Sequence, residues 1–143
     1  MNIIEAVKTL LTDFPKINEL HVDFASENPD SYAFSSTGDS LISEDIVGNQ
    51  KRRHTFVLYT YWQSASDFDR LNNSGTLLAL AGWLEANGRG LPITAEIGDK
   101  TLTGEMTGVT TANGMLYAVP DQLMGGVTYQ LQITADYKLY TEE

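Results

Sequence analysis

Acid–base or nucleophilic chemistry in this chain would have to pass through few side chains. The only imidazoles are His21 and His54, far apart and without local ligand spacing. No cysteine is present, which excludes a thiol nucleophile, a thiolate zinc site, an iron–sulfur cluster and a disulfide framework. A metal site built from the two histidines with carboxylates across strands is conceivable, but a strand-edge histidine is the plainer reading, and no metal ligand is assigned. Glu44-Asp45 and Asp67-Phe68-Asp69 bring carboxylates close in sequence. Neighbours on a strand point to opposite faces, and residues two apart on a helix do not meet, so neither pair makes an acid/base site.

The sharpest local string is Gly38-Asp39-Ser40-Leu41. It resembles the nucleophile block of the GDSL esterases and lipases, and that resemblance would make Ser40 the residue that attacks an ester carbonyl. Such a serine needs an imidazole to take its proton and a carboxylate to orient the imidazole. The family places that His near its C-terminus, three positions after an Asp. Here Asn18 stands three before His21, Lys51 three before His54, and the last third of the chain has no His. Without those partners a chance match is the plainer reading, and a Gly-Asp turn suits these residues. Gly88-Arg89-Gly90 lacks a phosphate-binding pattern and reads as a loop. No catalytic residue and no cofactor is assigned.

Lys51-Arg52-Arg53 holds three of the nine basic residues and forms a candidate basic patch. The stretch from Ile17 to Gln50 has seven acids and no Lys or Arg. Charge segregated in this way suits head-to-tail association, although a simply solubilising acidic surface is an equal reading. A monomeric module that binds an acidic partner through Lys51, Arg52 and Arg53 is the alternative.

The elements that must carry these residues follow from periodicity. Ile3, Ile4, Val7, Leu10 and Leu11 form a helical stripe, with Asn2 and Glu5 spaced as a capping box and Pro15 as the stop. Leu20, Val22 and Phe24 alternate with polar residues as in a half-buried strand, and Glu27-Asn28-Pro29-Asp30 reads as a turn. Tyr32 to Ser36 and Leu41 to Val47 are two short strand candidates, the second closed by Gly48-Asn49. Arg53 to Trp62 is rich in β-branched and aromatic residues on both faces and is expected to be a central strand.

Ser66 can cap a second helix, with Asp67 and Asp69 in its first turn and a possible break at Asn72-Asn73-Ser74-Gly75. Thr76 to Leu84 is apolar almost all round, so cover on more than one side is expected, and another subunit is one source for the extra cover. Ile93, Ala95 and Ile97 alternate before a Gly98-Asp99 turn, and Leu102 and Met106 continue on the next strand. Asn113-Gly114 signals a hairpin. Val127 to Leu139 alternates throughout and would span roughly 43 Å. The order α-β-β-β-α-β-β-β-β predicts a single α+β domain over residues 1–143, with two main helices and a mostly antiparallel sheet.

The chain has 143 residues and a formal charge of −10. A chain this long buries about 70% of its extended surface and needs no staple. Its acidity argues against broad phosphate-backbone binding. The start lacks a basic n-region and a following apolar run, and no segment approaches the ~20 apolar residues of a membrane span. Cytosolic synthesis without membrane insertion is therefore expected.

The helix Ile3–Leu11, the run Ile42-Ser43-Glu44-Asp45-Ile46-Val47-Gly48-Asn49-Gln50 leading into His54 to Tyr59, the helix ending Trp83-Leu84 and the strand Tyr129-Gln130-Leu131-Gln132-Ile133 together resemble the minor capsid proteins of tailed phages of Gram-positive hosts. The likeness extends more loosely to tail-terminator and tail-completion proteins. It implies a tail-terminator-like fold and a non-enzymatic, ring-forming role in the virion at the neck or head–tail junction, after synthesis in the bacterial host. It implies a homo-oligomer, hexameric in the terminators, with tail-tube or head-connector proteins as partners and DNA passing by without specific binding. Leu78, Trp83, Tyr129, Leu131, Ile133 and Tyr137 are the candidate interface residues, on the Thr76–Leu84 helix and the Val127–Leu139 strand.

Overall fold

The computed structural model describes residues 1–14, 19–22, 31–63, 67–118 and 126–141. Helix α1 (Ile3–Thr12) starts on the capping box the sequence announces: Asn2 accepts the Glu5 N–H at 2.8 Å, and the Glu5 carboxylate accepts the Asn2 N–H. Its stripe of Ile3, Ala6, Val7, Leu10 and Leu11 is buried. Pro15, Phe24, the turn at 27–30 and Ser66 lie outside the described residues.

Six strands form one sheet: β1 (Glu19–Val22), β2 (Ser31–Glu44), β3 (Gln50–Gln63), β4 (Pro92–Ile97), β5 (Lys100–Ala118) and β6 (Gly126–Tyr140). The order across the sheet is β1-β2-β3-β6-β5-β4. Every pairing is antiparallel except β1 with β2. The expected α+β class with a mostly antiparallel sheet and two helices is observed, and β3 is central as its two apolar faces require.

Three local signals yield to the length of the partner strands. Tyr32–Ser36 and Leu41–Glu44 are parts of one strand, β2, which ends at Glu44 so that residues 45–47 fall in the turn, and Gly38-Asp39 is a stretch of that strand rather than a turn. Asn113-Gly114 makes no hairpin. Val109 pairs with Ala135 and Met115 with Gln130, so both flanks of the dipeptide lie along β6, and it falls at a register shift inside β5. Three strands therefore follow the second helix, where four were expected. That helix, α2 (Asp67–Asn87), runs through residues 72–75 without a break.

The core lies between the two helices and the sheet. Along β6, Tyr129, Leu131, Ile133, Ala135, Tyr137 and Leu139 point inward, as the alternation predicts. Leu77, Leu80 and Leu84 bring α2 onto the sheet, and the Trp83 indole N–H donates to the Leu10 carbonyl of α1 at 3.1 Å. From Gly75 onward, where the side chains of α2 are described, its own chain covers one side: Leu78, Ala79 and Gly82 face outward. Gly88 lets the helix end settle on β5, since a Cβ there would stand 2.3 Å from a Val109 methyl and 2.8 Å from the Leu84 carbonyl oxygen.

Candidate functional site

The inner face of β3 changes character along its length. Leu58 and Phe56 belong to the core; then His54, Arg52 and Gln50 carry polar groups toward the β2–β3 hairpin. Opposite them, β2 has register shifts between Ser36 and Gly38 and between Leu41 and Ser43. Each adds one residue and reverses which side chains face inward. Ser36, Asp39 and Glu44 thus all meet the inner face of β3.

A chain of hydrogen bonds results. Ser36 Oγ contacts His54 Nε2, and His54 Nδ1 lies 2.8 Å from Asp39 Oδ2. Tyr137 on β6 donates its hydroxyl to the same oxygen at 2.5 Å, and Arg52 Nε donates to Asp39 Oδ1 at 2.8 Å. His54 is 6% exposed and its ring lies 4.6 Å from that of Phe56, whereas Ser36 is open to solvent. Burial raises the Asp39 pKa, but the hydrogen bonds from Tyr137, His54 and Arg52 and the Arg52 charge outweigh it and hold the carboxyl below its ordinary 3.8. Burial, with the hydrogen bond to Asp39, pushes the Tyr137 phenol well above its usual range, so it stays a donor.

The hairpin turn beyond this chain is itself braced. Asp45 Oδ1 accepts the N–H groups of Val47 and Asn49 at 3.1 and 2.9 Å, and the Asn49 side chain donates to Asp45 Oδ2 at 2.9 Å. Gly48 supplies the positive φ of +96° that the turn requires. Asn49 Oδ1 accepts the N–H of Thr141, which fastens the turn to the end of β6. Held in this frame, Ile46 is fully exposed, and Val47, Leu41 and Ile42 are also in water, with Tyr140 at the same end. The hollow between the turn and β6, lined in part by Ser43, Lys51, Lys138 and Tyr140, holds about 260 Å³ and is open on one side. It is smaller than the usual small-molecule pocket.

The residues singled out from the sequence are distributed as follows. Ser40 pairs with Arg53 and faces away from His54, so the imidazole reaches Ser36 and not the serine of the Gly38–Leu41 string. His21 lies in β1 opposite Ala33. Lys51, Arg52 and Arg53 do not form one patch, because a strand alternates its side chains. Arg52 faces inward to Asp39, while Arg53 lies outward against Asp136 at 2.8 Å. Glu44 accepts from Gln50 at 2.8 Å and Asp45 braces the turn, so this carboxylate pair points apart. Among the described residues no group of three or more His, Asp or Glu could hold a metal ion.

Of the interface candidates, Leu78 is 75% exposed. Tyr129, Leu131, Ile133 and Tyr137 are core residues instead, because β6 is sandwiched edge to edge between β3 and β5 and spends its apolar face on its own chain. Trp83 is half-buried against Phe14, with ring centroids 5.9 Å apart. Sequence reasoning missed Ser36 as a partner of His54 and the exposed hairpin tip. The Leu41-Ile42 and Ile46-Val47 pairs flanking Gly48-Asn49 were the available signal for the tip. Nothing local marked Ser36.

No family model matches the chain, and no curated protein sequence matches it. Among the described residues, no helix is long and apolar enough to cross a membrane.

Proposed function

We propose that this protein is a virion structural component of a tailed phage, placed at the neck or tail, that works by assembling into a ring as tail terminators and minor capsid proteins do. The observation that carries the reading is the braced hairpin tip with Leu41, Ile42, Ile46 and Val47 in water. Four large apolar side chains in water on one hairpin mark a candidate interaction surface. Because backbone N–H groups donating to the Asp45 and Asn49 side chains already fix the turn, little further ordering is needed when a neighbour covers it. Leu78 on the outward side of α2 offers a second apolar contact.

The order of a capped helix, a strand-rich middle, a second helix and a long closing strand is the order of elements in the small phage proteins that the chain resembles. A charge of −10 per subunit suits a wall past which DNA moves, since like charge denies it phosphate contacts. The partners on this reading are further copies of the chain and the tail-tube or head-connector proteins. The monomeric module using Lys51, Arg52 and Arg53 loses support from the division of those residues between two faces.

Sedimentation velocity at tens of micromolar, alone and with phage tail tubes or connectors, tests the proposal. The expected result is a ring-sized species in at least one condition. Its loss is expected on replacing Ile46 and Val47 together by Asp, whose side chains would sit in water at the tip without disturbing the core. A parent protein that stays monomeric and ignores tubes and connectors would overturn it.

A further inference from the structure

Ser36 and Asp39 are three positions apart on one strand, a spacing that ordinarily sends side chains to opposite faces. The extra residue between Ser36 and Gly38 cancels that effect. Both side chains therefore reach one imidazole, Ser36 at Nε2 and Asp39 at Nδ1. A carboxylate on Nδ1 fixes the tautomer that leaves Nε2 free to accept a proton from the hydroxyl beside it. The carboxylate is itself immobilised by Arg52 and Tyr137. The base is sheltered against Phe56, and the hydroxyl is open to an incoming molecule.

We infer that Ser36 is an acyl-acceptor site, taking an acyl group from an activated ester with His54 as the base and Asp39 as a positioning residue. The bond from Ser36 Oγ to the acyl carbon forms, and the bond from that carbon to the leaving oxygen breaks. The Ser36 proton passes to His54 Nε2 and departs with the leaving alkoxide. Neither oxidant nor reductant is needed. Rapid turnover requires N–H donors arranged around the carbonyl oxygen. A single acylation by an activated donor does not, and that is the step assigned to Ser36. The inference is independent of ring assembly.

The test treats the full chain at pH 7.5 with p-nitrophenyl acetate, follows nitrophenolate release, and maps the acetyl group by peptide mass spectrometry. The expected result is a burst approaching one equivalent per chain with the acetyl on Ser36. Ser36→Ala, which trims an exposed side chain, should abolish that modification. His54→Gln should slow it about 100-fold, the usual contribution of a positioned base. Asp39→Asn should slow it, and Asp39→Glu should recover part of the rate. Ser40→Ala should leave it unchanged. Acetyl groups scattered over lysines with Ser36 unmodified would overturn the inference, as would acylation of Ser36 at the parent rate in His54→Gln.

Discussion

Asp39 is where three strands are tied by one side chain: it sits on β2 and binds His54 and Arg52 of β3 and Tyr137 of β6. Its folded pKa lies below 3.8, so its contribution to stability is complete above that value and fades as the pH falls through the folded pKa. Asp39→Asn should therefore lower stability at pH 7 by about 1–2 kcal/mol in urea unfolding. That is below the cost of a fully buried charge, because a quarter of the side chain is open to screening water. The parent and variant curves should converge in acid below pH 3.8. If the difference between them is the same at pH 7 and pH 3, the carboxylate is not the source. This residue-level network was barely legible in the sequence. With two histidines, His54 was an obvious suspect, but its partner depended on a strand register that no short motif encodes. The Gly38–Leu41 string instead drew attention to Ser40, which faces the other way.

Among the elements, those with a complete periodicity were legible: α1 with its capping box, the central β3, and the long alternation of β6. Elements inferred from breakers were not. Gly38-Asp39 and Asn113-Gly114 are turn-forming in isolation, yet each lies beside a continuous partner strand that pairs with both of its flanks, so the extra residue is absorbed as a bulge. The junction of α2 with β5 gives a sharper test of element packing. Gly88→Ala should destabilise the protein by about 1–3 kcal/mol, because the new methyl meets Val109 on one side and the Leu84 carbonyl oxygen on the other. Adding Val109→Ala should make the loss smaller than the sum of the two single changes, since the cavity admits the methyl. Strict additivity in thermal or urea unfolding would show that the contact is not the constraint.

On the scale of the whole molecule, two electrostatic expectations compete. Charge segregated along the chain favours association through opposite patches, which salt would weaken; a net charge of −10 opposes association, and salt would relieve it. On the ring-assembly proposal, the fold favours the second. Arg52 and Arg53 are engaged by Asp39 and Asp136 of their own chain, while the exposed tip is apolar. Raising sodium chloride from 50 to about 500 mM, where the screening length drops to a few ångströms, should increase the assembled fraction seen by sedimentation. A decrease would restore the head-to-tail charge model.

The two one-residue insertions in β2 carry a consequence for drift in this chain. They set the phase of everything distal to Ser36: pairing Thr37 in regular register would carry Asp39 to the far side of the ribbon. A single deletion at Thr37 would instead remove the first insertion and leave Asp39 opposite His54 and Ser40 opposite Arg53. The aim of the outermost loop would shift with it, since bulges bend and twist the strand that holds them. Such a deletion would redirect the tip while keeping Asp39 against His54, so reach at this end of the molecule can be retuned by length apart from the chemistry.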